Sequence, residues 1–212
     1  MVKIYTKKGD SGNSRLYSNE LLHKGHNLFN ILGALDELNI RLGFAYWTMY
    51  NNWMTYCFEG DVARQIAHLQ KNCILLSSSI ATVSGGRMNS VKFSETETDI
   101  LEDYIDEMDK CMPKLTKFIN PHMYDCCLQI HLCRTQCRLV ERYLNTNTHD
   151  QENIEIPDYV TEKIYINRLS DYLFNLARFL EYRMDARNDI ILEFIILVVA
   201  FILCIIVSNY IK

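Results

Sequence analysis

Glycine is missing from the last 126 of the 212 residues, the eighth and last being Gly86. Proline occurs only at Pro113, Pro121 and Pro157. These two residues are the usual breakers, so their scarcity excludes a chain cut into many short strands and favours long helices. An excess of basic charge is also missing. Lys+Arg number 22 against Asp+Glu 26, a net charge of −4, which excludes a globally basic binder; no nucleic-acid partner is expected. Among eight cysteines there is no C-x-x-C pair. Met1-Val2-Lys3 opens into a structured-looking segment without a signal-peptide pattern, so reduced, buried thiols are expected. His131, Cys133 and Cys137 have zinc-ligand chemistry. On a helix, however, His131 lies well off the direction of Cys137, and no second ligand pair is near, so no metal site is expected.

What is present is helical periodicity. Lys3-Ile4-Tyr5-Thr6 reads as a short strand-like start, followed by a loop from Lys7 to Ser14. Leu28, Ile31, Leu35, Leu38 and Leu42 predict a first helix over Asn27–Tyr50. A second is predicted over Asp61–Val83, stopped by Ser84-Gly85-Gly86. Ser94 and Glu97 form a capping box for a third, ending near Met112. Phe118-Ile119-Asn120-Pro121-His122 reads as a turn. A fourth helix runs from Tyr124 to Asn145, a polar linker to Glu155, and a fifth helix from Asp158 to Arg187. The fold class is therefore all-α: a five-helix bundle over residues 1–187, followed by a single C-terminal transmembrane helix.

That last helix spans residues 190–211, whose only polar members are Glu193, Ser208 and Asn209. Its 22 residues make about 33 Å of helix, enough for a hydrocarbon core of roughly 30 Å. A buried sixth helix or an oligomer seam is the competing reading, but a helix apolar on every face has few ways to be buried by so small a domain. The expected localisation is a membrane, through a single-pass tail anchor, with the domain on the cytosolic side.

Polar residues form stripes on the helices. Arg134, Arg138 and Glu141 stand at i, i+4 and i+7, and Asn167, Asp171 and Arg178 at i, i+4 and i+11. Asp36-Glu37 interrupts the apolar pattern of the first helix. Taken singly, each stripe also reads as a solvated, salt-bridged face. Taken together they resemble a known family. Lys3-Ile4-Tyr5-Thr6 with Gly9-Asp10-x-Gly12, Gly33-x-x-Asp36-Glu37-Leu38-Asn39 and Leu42-Gly43 resemble the start of the ATP:cob(I)alamin adenosyltransferases of the propanediol-utilisation type. His131-Leu132-x-Arg134-Thr135-x-Cys137-Arg138-x-x-Glu141-Arg142 resembles the family's second signature. Asn167-Arg168-Leu169-Ser170-Asp171-Tyr172-Leu173-Phe174-x-Leu176-Ala177-Arg178 is similar to its third.

The resemblance implies a five-helix bundle assembling as a homotrimer, with ATP and cobalamin as substrates and Mg²⁺ as cofactor. The implied reaction moves the 5′-deoxyadenosyl group of ATP onto the cobalt of reduced cobalamin and releases triphosphate. Thr6, Lys7, Gly9, Asp10, Ser11 and Gly12 would wrap the triphosphate as a nest of backbone N–H groups, with Lys8 and Lys24 adding charge. Arg134 and Arg138 would neutralise the leaving triphosphate, and Glu141 and Asn167 would complete the nucleotide site. Asp36 would pair with Arg134 of another subunit. Phe118 stands where the family places the aromatic that displaces the lower axial ligand of cobalamin; a core phenylalanine at a turn is the other reading of that residue.

Three positions depart from the family pattern. Lys8 replaces a threonine, Asn120-Pro121-His122-Met123 replaces a Pro-Gly-Gly turn, and Leu139 stands where a second consecutive arginine is usual. They leave open a catalytically inactive trimeric scaffold at a membrane, viral or cellular, beside the membrane-tethered enzyme.

Overall fold

The computed structural model describes residues 3–51, 59–83, 92–121, 124–146 and 156–210. A two-stranded antiparallel hairpin, β1 (Asn13–Arg15) and β2 (Leu21–His23), precedes five helices. These are α1 (Asn27–Tyr50), α2 (Glu59–Ile80), α3 (Thr96–Lys110), α4 (Asp125–Asn145) and α5 (Val160–Tyr210).

Helix α4 is the middle of the bundle, packed between α1 and α5, with α2 against α1 and α3 against α5. Its buried positions therefore occupy two faces: Cys126, Ile130, Cys133 and Cys137 recur at i, i+4, i+7 and i+11, while Cys127, His131, Gln136 and Val140 widen the stripe. Small thiols there let neighbouring helices come close. Gly43 does the same for α1 and α2, since a Cβ at this position would lie 3.1 Å from Gln70 Nε2, which donates to the Asn39 carbonyl.

The helix predicted over Asn27–Tyr50 is found at those bounds, and its five predicted apolar positions are all buried. His26 caps it, its Nδ1 accepting from the Leu28 amide. The end of α4 is also found as predicted, at Asn145, and the other bounds move by one to three residues, except at the end of α5. Ser84-Gly85-Gly86, His122-Met123 and most of the linker to Glu155 lie outside the described residues.

Three expectations are corrected. Lys3–Thr6 forms no strand; Ile4 is fully exposed, and without a buried partner no edge holds it. The hairpin comes later, where Leu16 and Leu22 are buried and Ser18 Oγ bonds the Ala81 carbonyl and the Val83 amide at the end of α2. The capping box at α3 is absent. Ser94 Oγ meets Thr96, while the Glu97 carboxylate turns inward to His68 Nε2 (2.6 Å) and Asn72 Nδ2 (2.8 Å). Two buried-side partners outcompete one exposed amide. Finally, the tail is not a separate helix. Without a breaker between Arg187 and Ile190, α5 continues unbroken for 51 residues, about 77 Å at 1.5 Å per residue. Its last buried bundle residue is Met184, and the side chains from Leu192 to Val207 are exposed.

Candidate active site

The loop before the hairpin turns tightly. Lys7 and Gly12 take positive φ, +61° and +83°, a region that suits glycine and is costly for lysine. The Asp10 and Gly12 amides close turns on the Lys7 and Gly9 carbonyls at 3.3 Å. Lys24 folds back over this turn: its amide donates to the Gly12 carbonyl at 2.9 Å, and a Cβ on Gly9 would sit 3.2 Å from its ammonium. Thr6, Lys7, Asp10 and Ser11 are exposed. The result is an open, lysine-flanked loop with charge of the sign a phosphate needs.

On α4, Arg138 is exposed and reaches Glu141 at 3.8 Å. Arg134 is half-buried, and its guanidinium lies 6.0 Å from the Phe174 ring centre. Its Nε is buried with no hydrogen-bond partner among the described residues. A buried donor left open on a cationic group is costly until an acceptor reaches it, and an anion is the acceptor its charge favours. His131, one turn earlier, is buried with its Nδ1 likewise open. Burial and the Arg134 charge hold its pKa below the ordinary value.

Asn167 on α5 is exposed. The preceding carbonyl, of Ile166, accepts from Cys137 Sγ at 3.2 Å, so Asn167 and Arg138 each follow one residue after the same inter-helix contact. The other two members of the α5 stripe have structural partners. Asp171 pairs with Arg168, and Arg178 donates to the Pro113 carbonyl and Asn175.

Asp36 is exposed on α1, on the rim of a groove of about 340 Å³ between α1 and α2. Within one chain it makes no bond to Arg134. The same groove takes in Asn39, Ser77 and Ser78, and Asn39 Oδ1 is buried without a partner among the described residues. These residues were not among the sequence candidates, although Asn39 stands at i+3 from Asp36. Phe118 lies in the segment after α3, fully exposed. No hydrogen bond or ion pair among the described residues joins the loop, the α4 arc, Asp36 and Phe118.

Five of the free cysteines are buried, whereas Cys111 and Cys204 are exposed. Burial pushes the Cys73 and Cys133 thiols up to about 12, so they stay protonated and unreactive. Among the described residues no three His, Cys, Asp or Glu side chains converge as a metal site. Leu139 is half-buried against the core, about 100° around the helix from Arg138.

The family profile described as Cobalamin adenosyltransferase matches residues 4–180. The corrinoid adenosyltransferase MMAB of Homo sapiens is 33% identical over 181 residues, 84% of this chain and 68% of the human one. A corrinoid adenosyltransferase of Citrobacter freundii is 27% identical over 186 residues, covering 87% of this chain and 98% of its own. Among solved structures, a variant PduO-type ATP:corrinoid adenosyltransferase from Lactobacillus reuteri, complexed with cobalamin and ATP, superposes with a TM-score of 0.74. It is 29% identical and covers 86% of this chain and 93% of that one.

Proposed function

The chain belongs to the cobalamin adenosyltransferase family, and from that premise we propose that it transfers the 5′-deoxyadenosyl group of ATP to the cobalt of a reduced corrinoid. The observation that carries this reading is the Arg134 guanidinium, held half-buried with its Nε open. Such a donor fits an anion, and the anion of the family reaction is triphosphate. In the step, the bond between cobalt and the 5′ carbon forms as the bond from that carbon to the triphosphate oxygen breaks. The electron pair for the new bond comes from the reduced cobalt.

Each residue then has a task. The Lys7–Gly12 loop and Lys24 receive the phosphates. Arg134 and Arg138 hold the triphosphate as it leaves, where guanidinium forks match phosphate oxygens. Glu141, 3.8 Å from Arg138, keeps that arginine on the arc while leaving it free to turn to a phosphate. Asn167, level with that arginine on α5, positions the nucleotide. Phe118 supplies an apolar wedge against the lower face of the corrin. Mg²⁺, a hard cation that takes oxygen ligands, would accompany the triphosphate and, when bound, would add positive charge to the leaving group.

The site is completed by assembly as a homotrimer. Asp36, exposed at the groove rim, pairs with the outer guanidinium nitrogens of Arg134 of a neighbouring copy and leaves its Nε for the phosphate. The C-terminal half of α5 tethers the enzyme to a membrane as a single span, being long and apolar enough to cross one.

The test is the absorption spectrum of cob(II)alamin mixed with purified protein and ATP. The four-coordinate species is expected to form with the wild-type chain and to be lost in Phe118→Ala. An unchanged spectrum with the wild type overturns the enzymatic reading in favour of a scaffold.

A further inference from the structure

One end of the bundle gathers exposed aromatic and lysine side chains where the apolar tail departs. The helix registers establish this. Asn27 Nδ2 donates to the Tyr143 carbonyl and Gln136 Nε2 to the Ala34 carbonyl, so α1 and α4 run antiparallel. The same register carried on sets Tyr46 and Trp47 opposite the start of α4 at Tyr124. Tyr124 bonds Asp185 and Asn188 of α5. The end of α1 is therefore level with the last bundle turn of α5, just before Ile190. Helix α3 runs parallel to α5: Arg168 meets Glu102, Asn175 meets Asp109, and Arg178 meets Pro113. The segment after α3 consequently lies at this end too.

The side chains there share one chemistry. Trp47 is 58% exposed and Tyr50 59%, Tyr46 is exposed on the same stretch of α1, and Leu115 is exposed in the segment after α3. Trp47 stacks on Phe44, ring centres 5.8 Å apart, which holds the indole outward. Residues 110–121 contain Lys110, Lys114 and Lys117 and no acidic residue; the three lysines are exposed. Asp125 on α4 and Asp185, Asp189 and Glu193 on α5 are the nearby acids on those helices. Aromatic rings with a polar tip and lysines on long stems are the side chains favoured in a headgroup layer.

We propose that this end of the bundle is a membrane-facing surface. Tyr46, Trp47 and Tyr50 lie in the headgroup layer of the bilayer that the tail enters, and Lys114 and Lys117 lie against anionic headgroups. The occupant is a lipid surface, and the proposal rests on the reading of the α5 extension as a membrane span. An unbroken α5 couples the bundle to the span without a hinge, so this end stays at the bilayer. One consequence concerns the site itself. Phe118 is at this end and the hairpin is at the other, beside the end of α2. The corrin side of the site faces the membrane and the phosphate loop faces away.

The full chain in vesicles of phosphatidylcholine and phosphatidylserine tests this, with bromine placed on the acyl chains either near the headgroups or deep in the core. In Trp53→Phe, Trp47 is the only tryptophan. The chain is expected to float with the vesicles, and Trp47 emission to fall about twofold with shallow bromine and less with deep bromine, as for a ring at the interface. Should Trp53→Phe fold poorly, the difference between wild type and Trp47→Phe reads the same contribution. Lys114→Glu with Lys117→Glu should reduce the shallow quenching. If the chain floats but Trp47 is unquenched, the surface proposal is overturned and the tether stands. Emission shifted to the blue without quenching points to coverage by a second copy and likewise overturns it. A chain that does not float overturns both.

Discussion

The Tyr124 hydroxyl donates to Asp185 Oδ1 at 2.7 Å and accepts from Asn188 Nδ2 at 2.9 Å. This clasp fastens the start of α4 to α5 at the last point where α5 belongs to the bundle. Beyond it, from Leu192 onward, no described side chain is buried.

A chain truncated after Asp189 is therefore expected to be soluble and to keep its bundle helicity by circular dichroism, because it retains Met184 and the clasp. Aggregation of the truncated chain would show that the apolar extension contributes to the core. Tyr124→Phe in the truncated chain should lower the free energy of urea unfolding by about 0.5–1.5 kcal/mol, the usual contribution of such a bond.

His131 predicts a pH dependence. Burial first, and then the Arg134 charge, hold its pKa below the ordinary 6.5. The unfolded chain thus takes up the proton before the folded one as pH falls. Stability is fully present above about pH 6.5 and is lost as pH drops through the lowered folded value. The urea midpoint of the truncated chain should fall between pH 7 and pH 5, and His131→Phe should flatten that fall. Equal slopes in the two proteins would exclude His131 as its source.

Helix α1 was legible because its apolar spacing, Leu28 to Leu42, is a local property that burial merely completes. The Arg134–Glu141 arc was legible for the same reason, and so was the divergence of Leu139 from it. The hairpin was not legible, since strands of three residues carry little pattern and the burial of Leu22 depends on the end of α2. Nor was the role of Glu97. Ser94 and Glu97 match a local capping signal, but His68 and Asn72 reach the same carboxylate from a helix distant in sequence. Asn39 was missed because its groove is made by two helices, and a single stripe shows only one wall.

Glu97 yields a third prediction. Its carboxylate accepts from Asn72 Nδ2, which also reaches the buried Tyr165 hydroxyl at 3.1 Å. Glu97→Ala strands buried donors and should cost about 1–3 kcal/mol by urea titration. Glu97→Gln keeps the shape and one acceptor, so it should cost less. A loss from Glu97→Ala no larger than that of an exposed substitution such as Glu102→Ala would mean that the α2–α3 contact does not depend on this network.

The last prediction separates Arg138 from its neighbour Leu139. Arg138 is exposed on the arc of Arg134 and is loosely tied to Glu141 at 3.8 Å, so it is free to turn to a phosphate. A charged hydrogen bond to that anion contributes about 1.5–3 kcal/mol, roughly ten- to a hundredfold in affinity. Arg138→Ala should weaken ATP binding by that factor in isothermal titration, with helicity unchanged. Arg138→Lys should fall between, because an ammonium keeps the charge but lacks the bidentate fork. Leu139→Arg should not strengthen ATP binding. Its side chain starts from a half-buried position against the core, where a guanidinium must be drawn out to solvent and the lost packing costs about 1–3 kcal/mol. Unaltered ATP affinity in Arg138→Ala would remove this arginine from the phosphate site, and tighter binding by Leu139→Arg would show that α4 can turn that face toward the nucleotide.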